Sequence, residues 1–201
     1  MIDDQSRINQ TQRAIMEAAI ACIEKYGIEN VTVRRIAEEA GTNIASINYY
    51  FRSKKNLMDA TLKMTVGHML EDVIAAIDND NLDLQQRLEE VFYYLIDGAI
   101  RYPKLSTAHL YEAIVSNNYD SPGVKGMRDM FEHLVKKVEE ELPEQPTGKV
   151  RFLLAQILFS YIFLVLTPDF IDLPIEYNVN NPENHHLIAK EYSRIFFKAL
   201  D

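Results

Sequence analysis

Residues 31–57 read VTVRRIAEEAGTNIASINYYFRSKKNL, and their spacing predicts two short helices with a break between them. Val33, Ile36, Ala37 and Ala40 recur at helical intervals, which gives the first helix one apolar face. Thr32 stands just ahead of that run, where its hydroxyl can accept a bond from a free N–H of the first turn. Gly41 follows Ala40 directly and suits the left-handed conformation in which helices commonly end. Asn43 is a second N-cap candidate, and Ile47 and Phe51 are the apolar anchors of a second helix. Two helices of about two turns, joined by a short turn holding a glycine, form a helix-turn-helix.

The outward face of the second helix says what such a motif is for. Ala45, Ser46, Asn48 and Tyr49 are left facing outward, and none of them is acidic. Asparagine can pair with adenine in the major groove, and small side chains can touch a thymine methyl. Arg34, Arg35, Arg52, Lys54 and Lys55 surround this face, against Glu38 and Glu39. Cations so placed would contact phosphates, which position a base reader and supply salt-dependent affinity. An ordinary pair of surface helices with solvated charges shares the spacing, but has no use for this cluster.

The segment AGTNIASINYYFRSKKNL resembles the DNA-binding signature of the TetR family of bacterial regulators, with its A-G pair, aromatic pair, F-x-S-K and Leu. The preceding AIACIEKYGIENVTVRRIA is similar to that family's first two helices, so the likeness spans about Ala14 to Leu62. The resemblance implies phosphate contacts from Thr32, Thr42, Tyr50 and Lys54, and base contacts from Ala45, Ser46, Asn48 and Tyr49. With Arg34 and Asn43 beside them, these form the expected DNA-binding set. The chain departs from many members in having Ala45 for Gly and Asn48 for Tyr. Helical period would bury Ile44 with Ile47, whereas the family often exposes that position.

The chain has 201 residues, 47% of them hydrophobic, enough for a substantial core. Its net charge of −9 argues at first against a DNA partner. However, residues 1–60 carry eight basic and eight acidic side chains, while the remainder carries 13 and 22. The excess acid therefore lies entirely outside the helix-turn-helix region. Single Cys22 excludes an internal disulfide and fits a reducing cytoplasm. Cys22 also falls on an apolar stripe, which makes it a core residue. The polar N-terminus lacks a signal-peptide plan. The longest apolar run, Phe152 to Leu166, falls short of the about 20 residues that a membrane span needs.

Along the chain, periodicity predicts an all-α fold of nine helices. The first runs from Thr11 to Tyr26 and is closed by Gly27, and the helix-turn-helix completes a three-helix head over residues 1–53. Ser53 then caps a helix over residues 54–77, roughly 35 Å long, that links the head to a body over residues 54–201. Asp83 caps a helix from Leu84 to Tyr102. Further helices follow over Leu105–Val115, Gly123–Leu142, Thr147–Leu166 and Asn184–Leu200. The proline-bearing loop from Thr167 to Pro182 is long enough to suggest a function or a dimer arm.

The resemblance implies a homodimer held by the last two helices, with Phe152, Ile157, Phe159, Ile162, Phe163, Phe196 and Phe197 as its contacts. It also implies a small-molecule effector pocket in the body. Polar and aromatic residues near the apolar stripes nominate His68, Tyr93, Tyr94, His109, Tyr111, Glu112, Met127, Met130 and Phe131. Neither His109 with Glu112 nor His185 with His186 makes a metal site, and no cofactor is expected. No nucleophile motif or phosphate-cradling glycine loop marks an enzyme. The functional expectation is a cytoplasmic repressor that binds a palindromic operator and is released by an apolar or aromatic effector. The alternative is a DNA-binding protein without such an effector, acting in the nucleoid or cell division or answering to a protein.

Overall fold

The computed structural model describes residues 4–200, and among them every regular element is a helix. The α-helices are α1 (Asp4–Tyr26), α2 (Val33–Glu39), α3 (Ile44–Phe51), α4 (Lys54–Ile77), α5 (Leu84–Arg101), α6 (Pro103–Ser116), α7 (Pro122–Glu141), α8 (Thr147–Leu166) and α9 (His185–Leu200). Three short 3-10 turns lie between them, two inside the long loop before α9. Helix α1 begins earlier than the apolar stripe indicated. Residues 4–10 hold no proline or glycine to stop a helix, and too few apolar residues to announce one.

The caps explain where the helices start. Asp83 Oδ1 accepts from the Gln86 N–H at 2.8 Å, and Gln86 Oε1 accepts from the Asp83 N–H at 3.1 Å, a reciprocal capping box for α5. Ser53 Oγ accepts from the Asn56 N–H at 3.1 Å and starts α4. Pro103 opens α6, where its missing N–H costs nothing.

The chain divides into two compact units, and the division differs from the head and body expected at residue 53. One unit comprises the chain up to Val66 together with Lys104–Gly126; the other comprises Gly67–Pro103 and everything from Met127. Helix α4 therefore continues from one unit into the other, and α6 belongs with the helix-turn-helix. The reason is local chemistry. Glu24 accepts from the Leu105 N–H at 2.6 Å, Lys104 Nζ donates to the Lys25 carbonyl at 3.0 Å, and the Tyr111 hydroxyl donates to Glu29 at 2.8 Å. Leu105 and Ala108 join the core formed by Ile15, Ala19, Cys22, Ile23, Val31, Ile36, Ile47, Phe51, Leu57 and Leu62. Sequence spacing carries no sign of bonds that span some 80 residues.

The start of α7 approaches α4 within this first unit. A Cβ on Gly126 would lie 2.2 Å from Cγ1 of buried Val66, so only glycine permits the contact. Nearby, His109 of α6 is 8% exposed. The Thr65 hydroxyl lies 3.1 Å from the Leu62 carbonyl, which can only accept; the His109 Nε2–H, 3.2 Å away, then donates to Thr65. His109 Nδ1 is buried without a hydrogen-bond partner, and burial pushes the imidazole pKa down to about 4.

In the second unit α5 packs chiefly on α9 and also on α8. Leu88, Phe92, Ile96, Leu134, Leu154 and Phe196 fill its core. Buried Arg87 donates to the Ile77 carbonyl at 3.1 Å and pairs with Glu141 at 2.8 Å, which satisfies part of its guanidinium. His185 Nε2 donates to the Val179 carbonyl at 2.8 Å and fastens the end of the long loop to the start of α9.

Candidate nucleic-acid interface

The helix-turn-helix is built from its caps outward. Thr32 Oγ1 accepts from the Arg35 N–H at 3.2 Å, and Asn43 Oδ1 accepts from the Ser46 N–H at 2.8 Å. Gly41, with φ 61°, makes the turn in the left-handed region. Ile47 and Phe51, one turn apart, are buried and fix the rotation of α3 about its axis. That rotation leaves Ile44, Ala45, Asn48 and Tyr49 exposed as one continuous stripe, with Ser46 and Tyr50 half-buried at its margins. Tyr49 is 65% exposed, and its ring meets Tyr50 edge to face at 5.1 Å. The helix ends at Arg52, an exposed non-glycine residue with φ 67°.

The expected DNA-binding residues are thus gathered on one short motif, but in different roles. Ala45, Asn48 and Tyr49 are open to a partner. Thr32 and Asn43 spend a side-chain oxygen on capping, so their first task is to orient the helices. Thr42 and Lys54 are half-buried at the edges of the stripe. Arg34 pairs with Glu38 at 3.0 Å, both well exposed, a weak contact that a phosphate can replace. Arg35 is different: its guanidinium lies 4.3 Å over the Tyr26 ring and bonds the Asn30 carbonyl, which ties α2 to the end of α1. Cys22 is buried in the core as expected, and burial raises its thiol pKa.

Ile44 departs from its helical period. As the first residue of α3 it is 45% exposed, although it precedes buried Ile47 by three positions. Periodicity could not place it, because the chain has only just turned at Asn43 and Ile44 has no preceding helical turn to pack beneath.

The nine residues nominated for an effector pocket are divided between the two units. His109, Tyr111 and Glu112 lie in the first unit and are engaged there, with Thr65, Glu29 and Asn118 respectively. The other six lie in the second unit, dispersed. His68 and Tyr94 are exposed, and Met127 is half-buried. Tyr93 stacks on His186 at 3.9 Å with the rings 3° apart. Met130 is core, and Phe131 packs against that core beneath the Arg151 guanidinium. A cavity of about 330 Å³ does exist in the second unit, lined by Leu164, Pro168, Asp169, Ile171, Asp172, Tyr177 and Val179 among others. None of the nine lines it.

The expected dimer contacts divide as well. Phe152, Phe159 and Phe163 on α8 are exposed at 60%, 72% and 52%. Ile157 and Phe196 are buried inside the unit and have no surface left for a partner, while Ile162 and Phe197 are half-buried. Helical period alone does not separate two apolar faces on a helix that is apolar nearly all round. Leu187, Ile195 and the loop residues Phe170, Ile171 and Ile175 are exposed as well; Phe170 meets Phe163 edge to face at 5.4 Å. Over Gly148–Leu166, α8 is long and apolar enough to cross a membrane by length and composition, although Leu154, Ile157, Leu158, Tyr161 and Val165 pack into the core.

Residues 15–61 match the family model described as bacterial regulatory proteins, tetR family. The HTH-type transcriptional regulator BetI of Escherichia coli strain UMN026 is 23% identical over 155 residues, which cover 73% of this chain and 77% of BetI. Among solved structures, a regulator from Mesorhizobium loti assigned to the TetR family superposes with a TM-score of 0.75 at 13% identity, covering 96% and 97% of the two chains. FadR of Bacillus subtilis, in complex with stearoyl-CoA, superposes at 0.71 with 17% identity, covering 94% and 99%. The resemblance drawn from AGTNIASINYYFRSKKNL therefore holds, and the all-α fold is that of the TetR-family structures.

Proposed function

We propose that this TetR-family transcriptional regulator binds a palindromic operator as a homodimer, acts most directly as a repressor in the cytoplasm, and is released by a small apolar or aromatic effector. One observation carries the DNA reading: the exposed stripe of α3 bears no acidic side chain and lies between two side-chain caps and a basic border. A helix held this rigidly can enter a major groove with its first residues against base edges. The exposed phenylalanines of α8 support the dimer, which would set two recognition helices about 34–36 Å apart.

Release follows from linkage. Helix α4 is continuous across the boundary at Val66, and α7 crosses it at Gly126. An effector that binds better to one setting of these helices would lower operator affinity by its differential affinity, typically about 1–3 kcal/mol. FadR with its acyl-CoA supports the idea that this fold can take a long apolar ligand. A second reading, DNA binding without a small-molecule effector, is favoured by the engagement of His109, Tyr111 and Glu112 within the first unit. Saturable binding of a small molecule that releases DNA would exclude it.

The test is selection of duplexes from a random pool by the purified protein at two salt concentrations. Enrichment of a palindrome with half-sites about one turn apart supports the proposal. Weak, salt-labile binding without any enriched motif refutes it.

A further inference from the structure

We infer that Ile44 is a base-reading residue whose side chain recognises the 5-methyl group of a thymine in each operator half-site. The inference rests on the DNA reading above and names one determinant of its sequence preference. A single exposed isoleucine is common on protein surfaces and by itself needs no account. Three features of the structure set Ile44 apart.

The first is its place. Ile44 is the first residue of α3, the end of a recognition helix that enters the groove. The Asn43 cap fixes the backbone there, through its bond to the Ser46 N–H at 2.8 Å. The second is its company. Ile44 and Asn48 are four positions apart and share a face, as do Ala45 and Tyr49, and all four are exposed. The third is chemistry. The stripe's border is basic and its other members are small, amidic or phenolic, so Ile44, at 45% exposure, is the one large aliphatic side chain on the open stripe. In the major groove the only apolar feature offered by any base is the thymine methyl.

The spacing makes the inference specific. Four residues of helix advance about 6 Å, and base pairs repeat about every 3.4 Å along a strand. The thymine under Ile44 therefore lies about two base steps from the base that Asn48 meets.

The experiment begins with the operator enriched from the random pool. Each thymine of a half-site, with its symmetry mate, is replaced by deoxyuridine, which removes only the methyl group. Affinities are then measured for the wild type, Ile44→Val and Ile44→Ala, after thermal melts establish that all three fold equally well. At one thymine the wild type should lose about fourfold per half-site, the equivalent of ~0.8 kcal/mol for one buried methyl. Ile44→Ala should be indifferent to the same replacement, and Ile44→Val should fall between. If no thymine shows a methyl effect larger in the wild type than in Ile44→Ala, the inference is wrong while the DNA reading stands. If no operator is enriched at all, both fall.

Discussion

Helices α3 and α8 both leave a stripe of side chains exposed, and the two stripes differ in chemistry. On α3 the exposed members are Ile44, Ala45, Asn48 and Tyr49, on a helix fixed by a cap at one end and two buried anchors on its inner face. On α8 they are Phe152, Phe159 and Phe163, on a helix whose Pro146 start has no side-chain cap and whose inner face fills a core. A stripe rich in hydrogen-bonding groups suits base edges and water alike. A stripe of phenylalanines gains only by leaving water, at about 25 cal/mol for each Å² buried. The proposed partners differ accordingly, nucleic acid for α3 and a second copy for α8, and each proposal can be broken separately.

The largest effect should come from the α8 stripe. The double variant Phe159→Asp, Phe163→Asp places charges where the proposed partner packs, and interface centres typically cost more than about 2 kcal/mol per lost anchor. Analytical ultracentrifugation should show a monomer that melts as cooperatively as before, together with operator binding weakened by at least about a hundredfold. A dimer that survives would dissociate α8 from the assembly.

The next effect tests the first unit in acid. Folded His109 stays neutral down to about pH 4, whereas the unfolded chain takes up that proton near its ordinary 6.5. Between those values the unfolded state binds more protons, so stability is intact above 6.5 and falls as pH drops towards 4. Over that window the wild type should lose on the order of 3 kcal/mol more than His109→Gln, read from urea melts at each pH.

Gly126→Ala should follow, at about 1–3 kcal/mol of destabilisation from overpacking against Val66. Adding Val66→Ala should restore part of the loss, which a mere change of helix propensity would not allow. The smallest effect belongs to the cap. Asn43→Ala should cost about 1 kcal/mol of stability. It should also lower operator affinity, because it loosens the end of α3 that carries Ile44.

The same contrast explains how much could be read in advance. In the head the decisive features lie within a few residues of one another: Thr32 with Arg35, Asn43 with Ser46, Ile47 with Phe51. Capping and helical period operate over that range, so the motif and most of its surface were legible. The attachment of α6 to α1 and the turn after it rests on Glu24, Lys25 and Glu29 meeting Leu105, Lys104 and Tyr111, partners that no local rule connects. The same limit applies to the residues nominated for an effector pocket. Aromatic and polar residues near apolar stripes were expected to converge; Met130 instead fills core, and Tyr93 and Tyr111 have partners of their own. On α8, period identified the apolar residues and not the face each would take, so Ile157 and Phe159 were read alike and turned out opposite.

The central claim, that the exposed stripe of α3 reads DNA sequence, is tested most directly with Tyr49→Ala. Tyr49 is 65% exposed, so its removal should leave melting temperature and dimerisation unchanged. The measurement is the ratio of affinities for the enriched palindrome and for a scrambled duplex of equal length at fixed salt. The ratio should fall at least about tenfold, as expected for a base contact worth about 1–3 kcal/mol in each half-site, while affinity for the scrambled duplex barely changes. An unchanged ratio would contradict the account and remove α3 from base recognition.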